Sequence, residues 1–392
     1  MDEARLNLDM AAVLFWVSLT TVAFAYFGFP CLVILVGELF PKRVARKPIT
    51  PSISLIIAAY NEEETIVARL KNALALEYPR EALEIIVASD GSNDSTEELV
   101  AAFGQGVMLL RLPRRGKVFA LNAAVEKSSG EILVFSDANS MYQERALRNL
   151  ARNFADPKVG GVAGVTLYTL EKNSESSSHG ENAYWNYDNW LKDRESLTGS
   201  VVSAHGGIYA IRRPLYPQLA DSAVTDDFAI STSVIEQGYR LVHEGEATSV
   251  EVAVTTAKHE FSRKVRIITQ GMRSLMLRKR LLNPFRYGFY STVLFCHKVL
   301  RRMVPFFLLL LLGSAMTASP DGSFYFYAAA GQVVFYSLAC AGFLMRKTVW
   351  GRSKLLYVPF FYCMANAAAI VAMLKLVAGR RIELWQPQRN QS

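Results

Sequence analysis

The sequence predicts an α/β domain with a mainly parallel central sheet, flanked by transmembrane α-helices. Three observations point there. Apolar runs of strand length alternate with helical patterns through residues 51–260. Three of those runs end in acidic motifs, Tyr60-Asn61-Glu62, Ser89-Asp90-Gly91-Ser92 and Ser136-Asp137-Ala138-Asn139, where an open α/β sheet holds its ligand. Charge-free segments of bilayer length bracket the domain.

The first such segment is 11–36, inside an anchor over 1–40. A secretory signal peptide fits poorly: Asp2, Glu3 and Asp9 precede the run, the run is too long, and no small-residue cleavage site follows. The C-terminal membrane region 303–378 offers 303–319, 323–345 and 355–378, of which the first is short and the last carries Lys375 near its end. Lys42, Arg43, Arg46 and Lys47 follow the first span, and Arg346, Lys347, Arg352 and Lys354 separate the last two. By the positive-inside rule these loops and the central domain face the cytosol, with the N-terminus outside, in a multi-pass protein of the inner cell membrane. Three C-terminal crossings would leave Arg380, Arg381 and Arg389 of the polar tail 379–392 outside, against that rule. Either the short segment does not cross fully or the tail is an exception.

A net charge of +8 raises nucleic acid as a partner, but its distribution argues against one. Eleven Lys/Arg and no acid lie between Phe261 and Arg302, interleaved with Leu, Met, Phe and Tyr. That pattern suits basic amphipathic interface helices over 261–302 resting on anionic membrane lipids; a solvated helix face is the alternative. The four cysteines sit in or beside apolar segments without paired spacing, so neither disulfides nor a zinc site is expected.

Inside the domain, 53–58 is a continuous apolar run, as a strand buried on both faces requires. A helix follows with Ile66, Leu70, Ala73 and Leu74 on one stripe, then strand 84–88, a loop to Ser95 and a helix from about Thr96. Strand 107–112 leads through the basic turn Arg114-Arg115-Gly116-Lys117 into a helix carrying Ala120, Leu121, Ala124 and Val125, and strand 131–135 leads to Asp137. The alternation implies parallel pairing with right-handed crossovers. No GxGxxG follows the first strand, and Gly116-Lys117 lacks the rest of a P-loop, so phosphate would be held by a metal and by Arg/Lys. Further along come His205-Gly206-Gly207-Ile208-Tyr209-Ala210 with Arg212-Arg213, then Thr225-Asp226-Asp227, then Gln270-Gly271-Met272-Arg273-Ser274.

On these motifs, residues 51 to about 275 resemble a family 2 glycosyltransferase with a GT-A fold. With membrane helices on both sides, the chain is similar to the bacterial polysaccharide synthases of exopolysaccharide, poly-N-acetylglucosamine, hyaluronan, chitin-oligosaccharide and cellulose type. His297-Lys298, Arg301, Pro305 and Trp385-Gln386-Pro387 match patterns of bacterial members. The resemblance implies an inverting transfer from a nucleotide-sugar donor, a UDP-sugar foremost, to a growing polysaccharide. A single transfer to a lipid-linked acceptor is the alternative, and an inactive assembly subunit a third reading.

The roles follow from the same resemblance. Tyr60 and Glu62 contact the base, and Asp90 the ribose or base, unless Asp90 serves only as a turn or helix cap. Lys117 contacts base or phosphates. Asp137 ligates Mg²⁺ or Mn²⁺ together with the substrate phosphates, and Asn139, where the family has a second carboxylate, coordinates through its carbonyl or positions a water. Asp227 is the general base that takes the proton of the acceptor hydroxyl. Asp226 lies beside it on the acceptor side, or caps the following helix. His205 and Gly206 belong to the acceptor segment, with His205 either bonded to acceptor or structural. Gln270 and Arg273 bind the diphosphate. Ser274 stands where the synthases have Trp; Trp185, with Tyr187 and Trp190, either replaces that platform or packs its helix.

Overall fold

The continuous apolar runs become the centre of an eight-stranded sheet. A computed structural model describes residues 2–169, 177–219, 225–252, 256–319 and 322–379. The strands are β1 (Ile53–Ala59), β2 (Leu83–Asp90), β3 (Met108–Leu112), β4 (Ile132–Asp137), β5 (Met141–Tyr142), β6 (Val159–Thr169), β7 (Tyr209–Arg212) and β8 (Arg240–Val252). Their spatial order is β3-β2-β1-β4-β7-β6-β8-β5. β1 pairs in parallel with β2 and β4, and β2 with β3, as the strand-helix alternation requires. The second half is mixed: β7 runs antiparallel to β4 and β6, β8 parallel to β6, and β5 antiparallel to β8.

Every residue of β1 is buried, because alternate side chains enter two separate cores. Ile53, Leu55, Ile57 and Ala59 pack with Ile66, Leu70 and Leu147 on one face. Ile56 and Ala58 join Phe29, Val33, Leu191, Val293 and Ala368 on the other, where membrane helices approach the sheet. Each fully buried Leu or Ile contributes about 1.5–3 kcal/mol. Helix Ile66–Leu74 presents the predicted stripe, with one addition: Arg69 on the same face is fully buried.

Among the described residues, four helices are long and apolar enough to cross a membrane: Leu6–Leu39, Phe289–Ala318, Ser323–Leu344 and Lys354–Val377. The segment that looks short in sequence is therefore the end of a 30-residue helix. The stretch after the first helix is pinned to the domain: Lys42 N–H donates to Leu197 O at 2.8 Å, and Arg46 Nε to Asn153 Oδ1 at 3.0 Å. Residues 261–302 form the end of helix Ala257–Leu277, short turns over Lys279–Tyr287 and the start of Phe289–Ala318. Trp385-Gln386-Pro387 and Arg380, Arg381 and Arg389 lie outside the described residues.

Candidate active site

At the carboxyl ends of β1 and β2 the loops are stitched together. Asn61, with φ 53°, donates its N–H to Ser92 Oγ at 3.1 Å, and its side-chain Oδ1 accepts from Asn93 N–H at 2.9 Å. Glu62 N–H donates to Thr96 Oγ1 at 2.7 Å, and its carboxylate accepts from Thr65 Oγ1 at 2.8 Å. Asp90 is 1% exposed, and its carboxylate holds the basic turn. It accepts the N–H groups of Arg115 at 2.8 Å and Gly116 at 2.9 Å, and it pairs with the Arg114 guanidinium. Gly116 has φ 101°, a backbone state that favours glycine. Asp90 does not cap the next helix, whose N-cap is Ser95; the first helical N–H, of Thr96, goes to Asp94 Oδ1 at 3.1 Å. Arg114 also lies 3.4 Å over the Tyr60 ring, so Tyr60 and Asp90 meet around one guanidinium.

That turn launches helix Lys117–Lys127, and its first side chain points into the reacting end of the cleft. Lys117 Nζ lies 2.6 Å from Asp137 Oδ1, at the end of β4, and 2.9 Å from Asp226 Oδ2. Burial works against the ammonium, but the two carboxylates more than offset it and hold its pKa above the ordinary lysine value. Asp227 accepts the N–H of Phe228 at 2.6 Å at the start of helix Asp226–Glu236. Asp226, expected on the acceptor side or as the helix cap, faces Lys117. Burial first, and the Asp226 carboxylate second, push Asp227 up to about 6. Gly206 marks where these groups converge. A Cβ there would sit 3.3 Å from Asp137 Oδ2, 3.8 Å from Lys117 Nζ and 3.9 Å from Asp227 Oδ2.

The residues expected on the acceptor side form a second ring of contacts. His205 packs edge-on against Trp185 at 4.5 Å, and Trp185 lies 5.3 Å from Tyr168. His205 Nε2 is 3.5 Å from Asp188 Oδ2; burial and then Lys192 lower its pKa to about 4, so the ring is neutral. Asp188 also meets Lys192 at 3.1 Å and His297 at 3.1 Å, and His297 reaches Glu195 at 2.7 Å. His297, singled out by motif, thus ties the membrane-proximal helix to the helix that carries Trp185. Gln270 and Arg273 are half-buried on helix Ala257–Leu277, and the same helix reaches the Thr225-Asp226-Asp227 motif through Ser274. Ser274 is fully buried, and its Oγ accepts from Thr225 N–H at 3.0 Å.

Three residues escaped the sequence reading. Arg69 Nη2 donates to Ser136 Oγ at 3.1 Å, next to Asp137, and lies 4.5 Å over Tyr142. Glu251, near the end of β8, accepts from Ser140 Oγ at 2.5 Å; burial, then Asp137, push it up to about 7. The alternation Ser249-Val250-Glu251-Val252 was the available signal for a strand bringing a carboxylate to the cleft. Arg266 lies within electrostatic reach of Asp137, and burial lowers its pKa.

Among the described residues, no three His, Cys, Asp or Glu side chains are grouped to hold a metal by themselves. A divalent ion bound through one carboxylate and completed by substrate phosphates asks for less, and the residues fit that. Asp137 Oδ2 faces the room that the missing Cβ of Gly206 leaves, and Asn139 is exposed in the turn just beyond.

Residues 54–219 match the model of glycosyl transferase family 2. The poly-beta-1,6-N-acetyl-D-glucosamine synthase of Staphylococcus aureus (strain COL) is 28% identical over 233 residues, 58% of this chain and 56% of that protein. The "probable glycosyltransferase YdaM" of Bacillus subtilis (strain 168) is 27% identical over 274 residues, 62% of this chain and 63% of that one. The chain thus spans little more than half the length of these curated relatives. A mannosyltransferase from Pyrobaculum calidifontis, solved in complex with GDP-Man and Mn²⁺, superposes with a TM-score of 0.72 at 23% identity, covering 94% of this chain and 100% of that one. The GT-A-like fold is shared.

Proposed function

Starting from a family 2 glycosyltransferase domain over residues 54–219, we propose that the chain is an inverting, membrane-bound sugar transferase. It moves a sugar from a nucleoside-diphosphate donor, a UDP-sugar foremost, to the hydroxyl of a growing polysaccharide. The observation that carries this reading is the convergence of Asp137, Lys117 and Asp227 around Gly206. The relatives named as glycosyltransferases add support.

A sugar hydroxyl attacks an anomeric carbon well only as its proton leaves. Asp227, with a pKa of about 6, is ionised at neutral pH yet basic enough to accept that proton. Attack from the face opposite the leaving diphosphate inverts the anomeric centre. Lys117, Arg273 and Gln270 offer donors to the diphosphate, and Tyr60 with Arg114 offers a flat cationic surface to the base. Asp137 with Asn139 would hold Mg²⁺ or Mn²⁺, which when bound neutralises charge on the departing diphosphate. The same reading has the catalytic domain in the cytosol, on the inner face of the cell membrane; the basic loops after the first span and before the last support it.

One observation favours the second reading, a single or short transfer to a lipid-linked acceptor. Ser274 is buried against Thr225, so no aromatic platform occupies that position. Incubating the purified full chain with labelled UDP- and GDP-sugars, with and without chelator, and sizing the products decides between them. High-mass polymer supports the synthase, and short products the alternative. No transfer from any donor with a divalent cation present would overturn both.

A further inference from the structure

Among the described residues, four helices are apolar enough to cross a bilayer, yet one apolar cluster draws on three of them and not on the fourth. Phe15 and Leu19 of the first helix, Leu311, Leu312 and Ala315 of the second, and Tyr325, Ala328 and Ala329 of the third form one apolar cluster. Among the described residues, that cluster holds none from Lys354–Val377. The fourth helix is also the most enclosed: 33% of its apolar window is buried, against 22%, 22% and 17% in the others.

Both halves of this helix pack toward the catalytic domain, with Tyr362 between them against Tyr26 and Phe335. Its start packs against the end of the third: a Cβ on Gly342 would meet Leu356 O at 2.4 Å, and Phe343 and Phe360 rings are 5.7 Å apart. Its far end belongs to the core that reaches the sheet, through Ala368, Ala369 and Ala372. Between these ends it runs beside helix Ala257–Leu277. Ala257 and Phe261 pack with Phe360, Phe361 and Met364, and Lys264 Nζ lies 4.7 Å over Phe361. A turn further on, Phe261, Val265 and Arg266 share a cavity of about 170 Å³ with Val371 and Lys375. Arg266, which lines this cavity, is within electrostatic reach of Asp137.

A fourth crossing would carry the helix beside it into hydrocarbon with Lys258, Glu260, Arg263, Lys264 and Arg266. Charged side chains are strongly disfavoured there. We propose that helix Lys354–Val377 does not cross but lies on the inner leaflet of the bilayer. Leu355, Val358, Leu374 and Val377 are exposed and enter the acyl boundary, while exposed Lys354 and Lys375, one at each end, face anionic headgroups. The chain then crosses three times, and the carboxyl terminus shares a compartment with the catalytic domain. This removes the conflict with Arg380, Arg381 and Arg389, which now fall on the positive side.

The inference rests on the proposed orientation only for naming that compartment the cytosol. Fusions of green fluorescent protein or alkaline phosphatase after Ser392, within loop 346–352 and at Gly322 of the full chain read all three positions. Fluorescence without phosphatase activity after Ser392 and in the loop, with active phosphatase at Gly322, is the expected result. Active phosphatase after Ser392 with an inactive loop fusion overturns the three-crossing arrangement. Active phosphatase in the loop overturns the orientation instead. Nitroxide labels at Val358→Cys and Leu374→Cys, with the native cysteines replaced, test the same point without fusions. Equal shallow depths support the proposal; a separation near the ~24 Å of a perpendicular helix ends it.

Discussion

Asp90 is buried and Asp227 half-buried in one cleft, and their surroundings are opposite. Asp90 is saturated with donors: two backbone N–H groups and the Arg114 guanidinium. Asp227 receives one N–H and faces a second carboxylate, Asp226. Burial with donors makes an anchor that fixes a loop, whereas burial beside like charge makes a group that wants a proton. The end of the cleft proposed for the nucleotide is built the first way and the proposed reacting end the second.

Substitutions can break that contrast. Asp227→Asn should lower transfer by about 10²–10⁴-fold, the usual contribution of a general base, with nucleotide binding intact by calorimetry. Its unfolding midpoint near pH 7 should equal or exceed that of the parent, because an unfavourably placed charge is removed. Asp90→Ala should do the reverse. It strands the N–H groups of Arg115 and Gly116 and should cost about 3 kcal/mol in denaturant unfolding.

The pH dependence sharpens the same comparison. Asp227 acts as base only when ionised, so the rate should rise with pH through about 6 and fall tenfold per unit below it. Its folded pKa lies above the ordinary 3.8, so its stabilising contribution is present below about pH 4 and lost as pH rises through about 6. Asp226→Asn removes the like charge and should move the acid limb of the rate profile to lower pH. A limb that stays in place would mean Asp226 has no say in it. The smallest effect belongs to Ser274→Ala, which deletes the bond from Thr225 N–H and a longer one to Thr225 Oγ1: about 1 kcal/mol of stability, with a modest fall in kcat at constant KM.

The parallel half of the fold was legible because β1, β2 and β4 are buried on both faces and read as unbroken apolar runs. The other half was not. β6 hides its apolar residues among Gly160, Gly161 and Gly164, β7 has four residues, and β8 carries Glu244, Glu246 and Glu251 along its length. The motifs gave Asp137, Lys117 and Asp227 as site residues, and these do converge. Ser274 was read as an aromatic gone missing; its bond to Thr225, 49 positions away, exists only in three dimensions. Arg69 likewise sat on a stripe of helix neighbours where periodicity expects a hydrocarbon.

Gly206 turns the crowding of these charges into a tool. Its backbone is of a kind that alanine tolerates, since it is absent from the positive-φ glycines. One extra methyl there takes up the vacant floor between acid, amine and base while every charge stays in place and the anchor in the membrane is untouched. A Gly206→Ala chain would therefore be a stopper for the chamber, separating a protein that cannot admit its reactants from one that cannot fold.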